Sequence, residues 1–118
     1  MIKFLIIFIT SFAFVLFLHE ITHFATAKVL GLSPKFIISK AGTPIVRYKN
    51  SHEYIKIFFV AISAPIIVIS VTAILPNISE FILVKILGIL NIINLLPITT
   101  DGEVAVYAIL KLWKRKNY

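Results

Sequence analysis

FAFVLFLHEITHFATAKVLG (Phe12–Gly31) places two histidines and a glutamate at the centre of an apolar run. The run starts earlier: Met1 to Leu18 is apolar apart from Lys3 and a few small or hydroxyl residues. About 20 mostly apolar residues suffice to cross a bilayer as a helix. Helical patterning continues past His23 to Leu30, where Gly31 is a natural C-terminal cap. A helix over Ile2–Leu30 would exceed the roughly 30 Å of hydrocarbon, so it would tilt or protrude. Lys3, the apolar stretch and Ala25-Thr26-Ala27 also follow the outline of a secretory signal peptide. The run is long for that purpose and its end is crowded with ionisable groups, so a retained span is expected.

The rest of the composition agrees. Of 118 residues, 59% are hydrophobic and 14% charged, against about 25% charged in ordinary soluble domains. A single membrane-embedded domain over residues 1–118 is therefore expected rather than a water-soluble globule. The absence of cysteine excludes disulfides, thiolate metal sites and thiol nucleophiles. The net charge of +7 would suggest nucleic acid in a soluble protein. Here the basic residues are interleaved with Ile and Phe, and no nucleic-acid partner is expected.

Two further spans follow, Ile55–Leu75 and the shorter Phe81–Leu96, joined by PNISE at residues 76–80. Pro97 breaks the last span, and DGEVAVYAILKLW restarts a helical pattern that reads as an interfacial helix. Between the first two spans, KFIIS and PIVRYK flank Lys-Ala-Gly-Thr and read as a small β-hairpin. The expected fold is thus an all-α membrane protein of about three transmembrane helices, with a β-hairpin after the first and a C-terminal interfacial helix. Basic residues gather in the hairpin region and the tail and are missing from PNISE. The positive-inside rule then puts hairpin and tail on the cytoplasmic side of a multi-pass cell-membrane protein, with the N-terminus outside.

His19 and His23 are four residues apart and share one face of a helix, where both imidazoles can reach one tetrahedral Zn²⁺. Glu20 beside them suits a general base acting on a zinc-polarised water. Three ionisable groups within five residues are costly in hydrocarbon, on the order of 2–3 kcal/mol each, which favours a functional cluster over ornament. Zinc needs a third protein ligand and an open fourth position. The third is sought in NLLPITTDG (residues 94–102), whose only acid is Asp101. Asn94 and Pro97 interrupt the helix ahead of it, and Gly102 eases the backbone after it. The competing role for Asp101 is ordinary helix capping together with Thr99 and Thr100.

H-E-x-x-H in a first span, followed by a distal N-x-x-P…D-G, resembles the site-2 protease family of intramembrane zinc metalloproteases (peptidase family M50). The likeness runs through most of the chain and includes Ala64-Pro65 in the middle span. It implies Zn²⁺ held by His19, His23 and Asp101, Glu20 as catalytic base, and Asn94, Pro97 and Gly102 shaping the substrate cleft. The implied substrate is a membrane-embedded peptide or single-span protein. Asn94 and Asp101 are seven residues apart, whereas the family pattern has eight, which bears on whether Asp101 faces the imidazoles. The likeness is to the family's core alone, without PDZ or CBS domains, so substrate selection would fall to the core or to a regulatory membrane partner.

A substrate helix must unwind before it can be cut, and an exposed edge such as KFIIS offers pairing for the unwound segment. Two other functions fit the same residues: a non-catalytic multi-pass subunit or immunity protein that keeps the metal site, and a small ion or proton carrier. His52 and Glu53 read as surface loop residues. Ser63 and Ser70 read as packing groups, and Tyr107 and Trp113 as interfacial aromatics.

Overall fold

The computed structural model describes residues 1–117. It is mostly helical: α1 (Ile2–Val29), α2 (Tyr54–Ile74), α3 (Ser79–Leu90) and α4 (Thr100–Lys116), with strands β1 (Lys35–Ile38) and β2 (Pro44–Arg47) between α1 and α2. Three segments are long and apolar enough to cross a membrane: Ile2–Val29, Tyr54–Ile74 and the broken run Ser79–Lys116.

The buried positions of α1 are Ser11, Val15, His19, His23 and Ala27, every fourth residue along one narrow stripe. The remaining faces expose Phe4, Phe8, Phe12 and Phe17, among others. The polarity of a soluble bundle is inverted: polar Ser11, His19, His23, Thr72 and Asn91 lie inside while Phe and Ile lie outside. α1 ends as its sequence suggests. Gly31 adopts φ +74°, its N–H donates to the Lys28 carbonyl, and the Leu32 N–H donates to that of Ala27. This six-residue glycine-stopped pattern satisfies the last carbonyls.

The hairpin pairs Lys35 with Arg47, Phe36 with Val46, Ile37 with Ile45 and Ile38 with Pro44. Ser39 and Thr43 close its turn through both backbone and hydroxyls, and Gly42 takes the left-handed conformation the turn needs, φ +79°.

Packing fixes the helix directions. Val15 meets Val68 and Val84 in one apolar cluster, while Ala27 and Leu32 meet Val60 in another. α1 and α2 therefore run antiparallel, and α3 runs parallel to α1. Gly88 allows α3 to lie directly on α2, since a methyl there would fall 1.9 Å from Thr72 Oγ1.

The third apolar run differs from the helix expected over Phe81–Leu96. Its α-winding stops at Leu90, four residues before Asn94, and tightens into a 3₁₀ turn over Asn91–Leu95. Leu96 is extended, as a residue preceding proline prefers. α4 then resumes along α2, burying Gly102, Ala105 and Ala108. Tyr107 meets Tyr54 edge to face at 5.9 Å, so the end of α4 and the hairpin lie at the same end of the bundle.

A candidate metal centre

His19 and His23 project from the buried stripe of α1 with ring centroids 4.7 Å apart. Their Nε2 atoms are 3.2 Å apart, and Asp101 Oδ2 lies 2.9 Å from the first and 3.1 Å from the second. The structure thus brings His19, His23 and Asp101 together from opposite ends of the chain. Glu20 lines the same cavity, a space of about 740 Å³ between α1, β2, α3 and the start of α4.

The other ring nitrogens are already committed. His23 Nδ1 lies 2.9 Å from the Val60 carbonyl, which only accepts, so that nitrogen carries the proton. His19 Nδ1 lies 2.9 Å from Asn91 Oδ1. The Asn91 amide is oriented by its own Nδ2–H, which donates to the Leu87 carbonyl at 3.1 Å, so its oxygen faces the ring and His19 Nδ1 is the donor. Two neutral rings protonated at Nδ1 present bare Nε2 lone pairs to each other and to a carboxylate oxygen. Such a trio repels itself unless a positive charge, either a metal ion or a proton on one Nε2, sits among its members. In a tetrahedral zinc site with bonds of about 2.0–2.1 Å, the ligand atoms lie about 3.3 Å apart. The observed triangle is a few tenths of an ångström tighter than that, so these donors suit zinc in type, number and spacing. Bonds of this kind from Nδ1 are the ones that orient histidines in metal sites generally.

Each partner has a local cause. In α2, the Val60 carbonyl accepts from His23 as well as from Ser63 Oγ, whose side chain turns back one turn along its own helix. The capping role that competed for Asp101 is taken by Thr99. Thr99 is the N-cap of α4, and its Oγ1 accepts from the Gly102 N–H, so the Asp101 carboxylate in the first turn is free to face the imidazoles. The seven-residue spacing from Asn94 does not turn Asp101 away, because the intervening segment is irregular rather than helical.

Other expected site residues stand one step back. Asn94 does not touch either imidazole; its Nδ2 donates to Asn91 Oδ1 at 3.1 Å, and it lines the cavity. Pro97 is exposed and outside the cavity lining; it ends the 3₁₀ segment. Gly102 matters for close approach rather than for a turn: a Cβ there would lie 1.7 Å from the Leu96 carbonyl oxygen. Asn91 went unnoticed in the sequence. Its signal was weak, a second amide three residues before Asn94 on the same apolar helix.

The hairpin also differs in detail. Ile45, Val46, Arg47 and Tyr48 line the cavity, so β2, not the KFIIS strand, borders the site. The Val46 N–H points away from β1 and donates to Glu20 Oε2 at 3.1 Å. Burial pushes the Tyr48 phenol above its ordinary value, with the nearby Asp101 charge adding to the shift. Ser63 and Ser70 donate to Val60 and Ile66 carbonyls of their own helix, as packing groups do. His52 is exposed, and Glu53 pairs with Lys56.

No family model matches the chain, and no curated protein or solved structure matches it either.

Proposed function

We propose that this chain is a zinc-dependent intramembrane endopeptidase of the site-2 protease type, cutting a membrane-spanning protein or small membrane peptide. The observation that carries the proposal is the triangle of His19 Nε2, His23 Nε2 and Asp101 Oδ2, with both Nδ1–H groups already held by acceptors. Zinc bound there would polarise a scissile carbonyl and acidify a water beside it. Glu20, next to His19 and lining the same cavity, is the base that takes the water's proton and returns it to the leaving amide nitrogen. Asn91 and the Val60 carbonyl hold the imidazoles in one tautomer and orientation.

The membrane setting is supported by the apolar faces that α1, α2 and α3 leave exposed, far beyond the patches soluble monomers carry. Of the twelve Lys and Arg residues, all but Lys3 and Lys85 fall between Lys28 and Lys56 or in the last turns of α4. We therefore orient the hairpin and the end of α4 towards the cytoplasm and Met1 outside. Substrate would approach as an extended segment along the open edge of β2. A carbonyl of that segment would take the Val46 N–H, freeing Glu20 from it.

The test is co-expression with single-span reporters tagged at both ends. The wild-type chain should purify with about one zinc and release clipped reporter, and Glu20→Gln should keep the zinc and lose the clipping. Clipping that survives Glu20→Gln, or a wild-type chain without zinc, would refute the proposal.

A further inference from the structure

The second half of α4 has a surface that the metal site does not use. Val106, Ile109, Leu110 and Trp113 are 37%, 48%, 52% and 64% exposed, and their spacing places them on one side of the helix. The side turned into the bundle is a different one, where Ala105 and Ala108 are buried. Lys114 and Lys116 flank the exposed stripe, Lys111 and Arg115 lie across the helix from it, and no acid lies between Glu103 and these cations. Lys111 is held over the Tyr107 ring at 5.4 Å, and Tyr107 packs against Tyr54 at the start of α2. Aromatic groups at this level followed by cations form the sequence of layers found where a helix leaves hydrocarbon for headgroups.

We propose that the second half of α4 is a foot that binds anionic lipid headgroups, with its apolar stripe seated at the acyl boundary and its last-turn cations on the lipid phosphates. Charge complementarity selects this occupant. A second copy would bring the same cations face to face, and a zwitterionic surface would leave them without a counter-charge. Each basic residue engaged at an anionic membrane surface strengthens binding by roughly fivefold, an effect that salt screens within a Debye length. The foot rests on the membrane-spanning reading proposed above, but not on catalysis.

Trp113 is the only tryptophan, so the intrinsic tryptophan emission of the chain reports the foot alone. The full-length chain is reconstituted into vesicles of phosphatidylcholine mixed with phosphatidylglycerol, brominated on one lipid class or the other at equal mole fraction. Brominated phosphatidylglycerol should quench Trp113 several-fold more than brominated phosphatidylcholine. The preference should collapse at high salt and in K114Q/R115Q/K116Q, whose three side chains are exposed in the last turn. Equal quenching by both lipids, or a preference that survives both salt and the triple variant, would overturn the foot. So would Trp113 shielded from both lipids with copies cross-linking through α4, since a protein would then cover the stripe. A chain that fails to co-float with vesicles of either composition would refute the membrane reading itself, whereas zinc content and reporter clipping report on the protease reading independently.

Discussion

Asn91→Ala removes one acceptor from the outer sphere of the metal centre and leaves all three proposed ligands in place. Asn91 is 8% exposed, and its Oδ1 accepts from His19 Nδ1 at 2.9 Å and from Asn94 Nδ2 at 3.1 Å. Truncation strands the buried Nδ1–H of His19 and frees the ring to rotate or to change tautomer. Loss of such a partner typically lowers metal affinity by about 10- to 100-fold, or about 1.4–2.7 kcal/mol. Asn94 touches neither imidazole, so Asn94→Ala should cost less than Asn91→Ala. The assay is competition for zinc between the detergent-solubilised chain and a chelator of known affinity. Wild-type affinity in Asn91→Ala, or a larger loss in Asn94→Ala, would refute the account of how His19 is oriented.

Two further outcomes follow from local geometry. Gly102→Ala places a methyl 1.7 Å from the Leu96 carbonyl oxygen, so α4 and the Leu96–Pro97 segment must separate by more than an ångström. Asp101 moves with α4, and zinc affinity should drop by roughly tenfold or more, given the sub-ångström placement metal sites require; an unchanged zinc titration would contradict this. Val46→Pro removes an N–H that β1 does not use, which an edge strand tolerates. It should leave zinc bound and weaken cleavage of an extended reporter by roughly 2- to 10-fold, the worth of one hydrogen bond. Ile38→Pro in β1, which lies outside the cavity lining, should leave both zinc binding and cleavage unchanged, and the reverse ranking would return the pairing edge to KFIIS.

Much of this architecture could be read from one-dimensional pattern. Apolar runs of sufficient length gave the long helices, β-branched runs around a glycine turn gave the hairpin, and Gly31 marked the end of α1. The four-residue spacing of His19 and His23 is a property of any helix, so their shared face was legible before any packing was known. What sequence could not supply was register between elements. Which hairpin edge meets α1 depends on how β2 docks against Glu20, and that Asn91 rather than Asn94 sits level with His19 depends on how α3 slides along α1. That sliding is set by Val15 against Val84, while the absence of a side chain at Gly88 sets how closely α3 approaches Thr72 of α2. The division of labour between Thr99 and Asp101 was likewise hidden, because either residue is a competent cap. The chain could not reveal which one the first turn of α4 uses.

Zinc K-edge X-ray absorption on the metal-loaded chain tests the central claim most directly. Wild-type protein should show about one zinc with two imidazole nitrogens and a carboxylate oxygen at about 2.0–2.2 Å. In Asp101→Ala the imidazole signature should persist while affinity falls and the carboxylate contribution disappears. Zinc without imidazole scattering, or a spectrum and affinity unchanged in Asp101→Ala, would contradict a centre built from His19, His23 and Asp101.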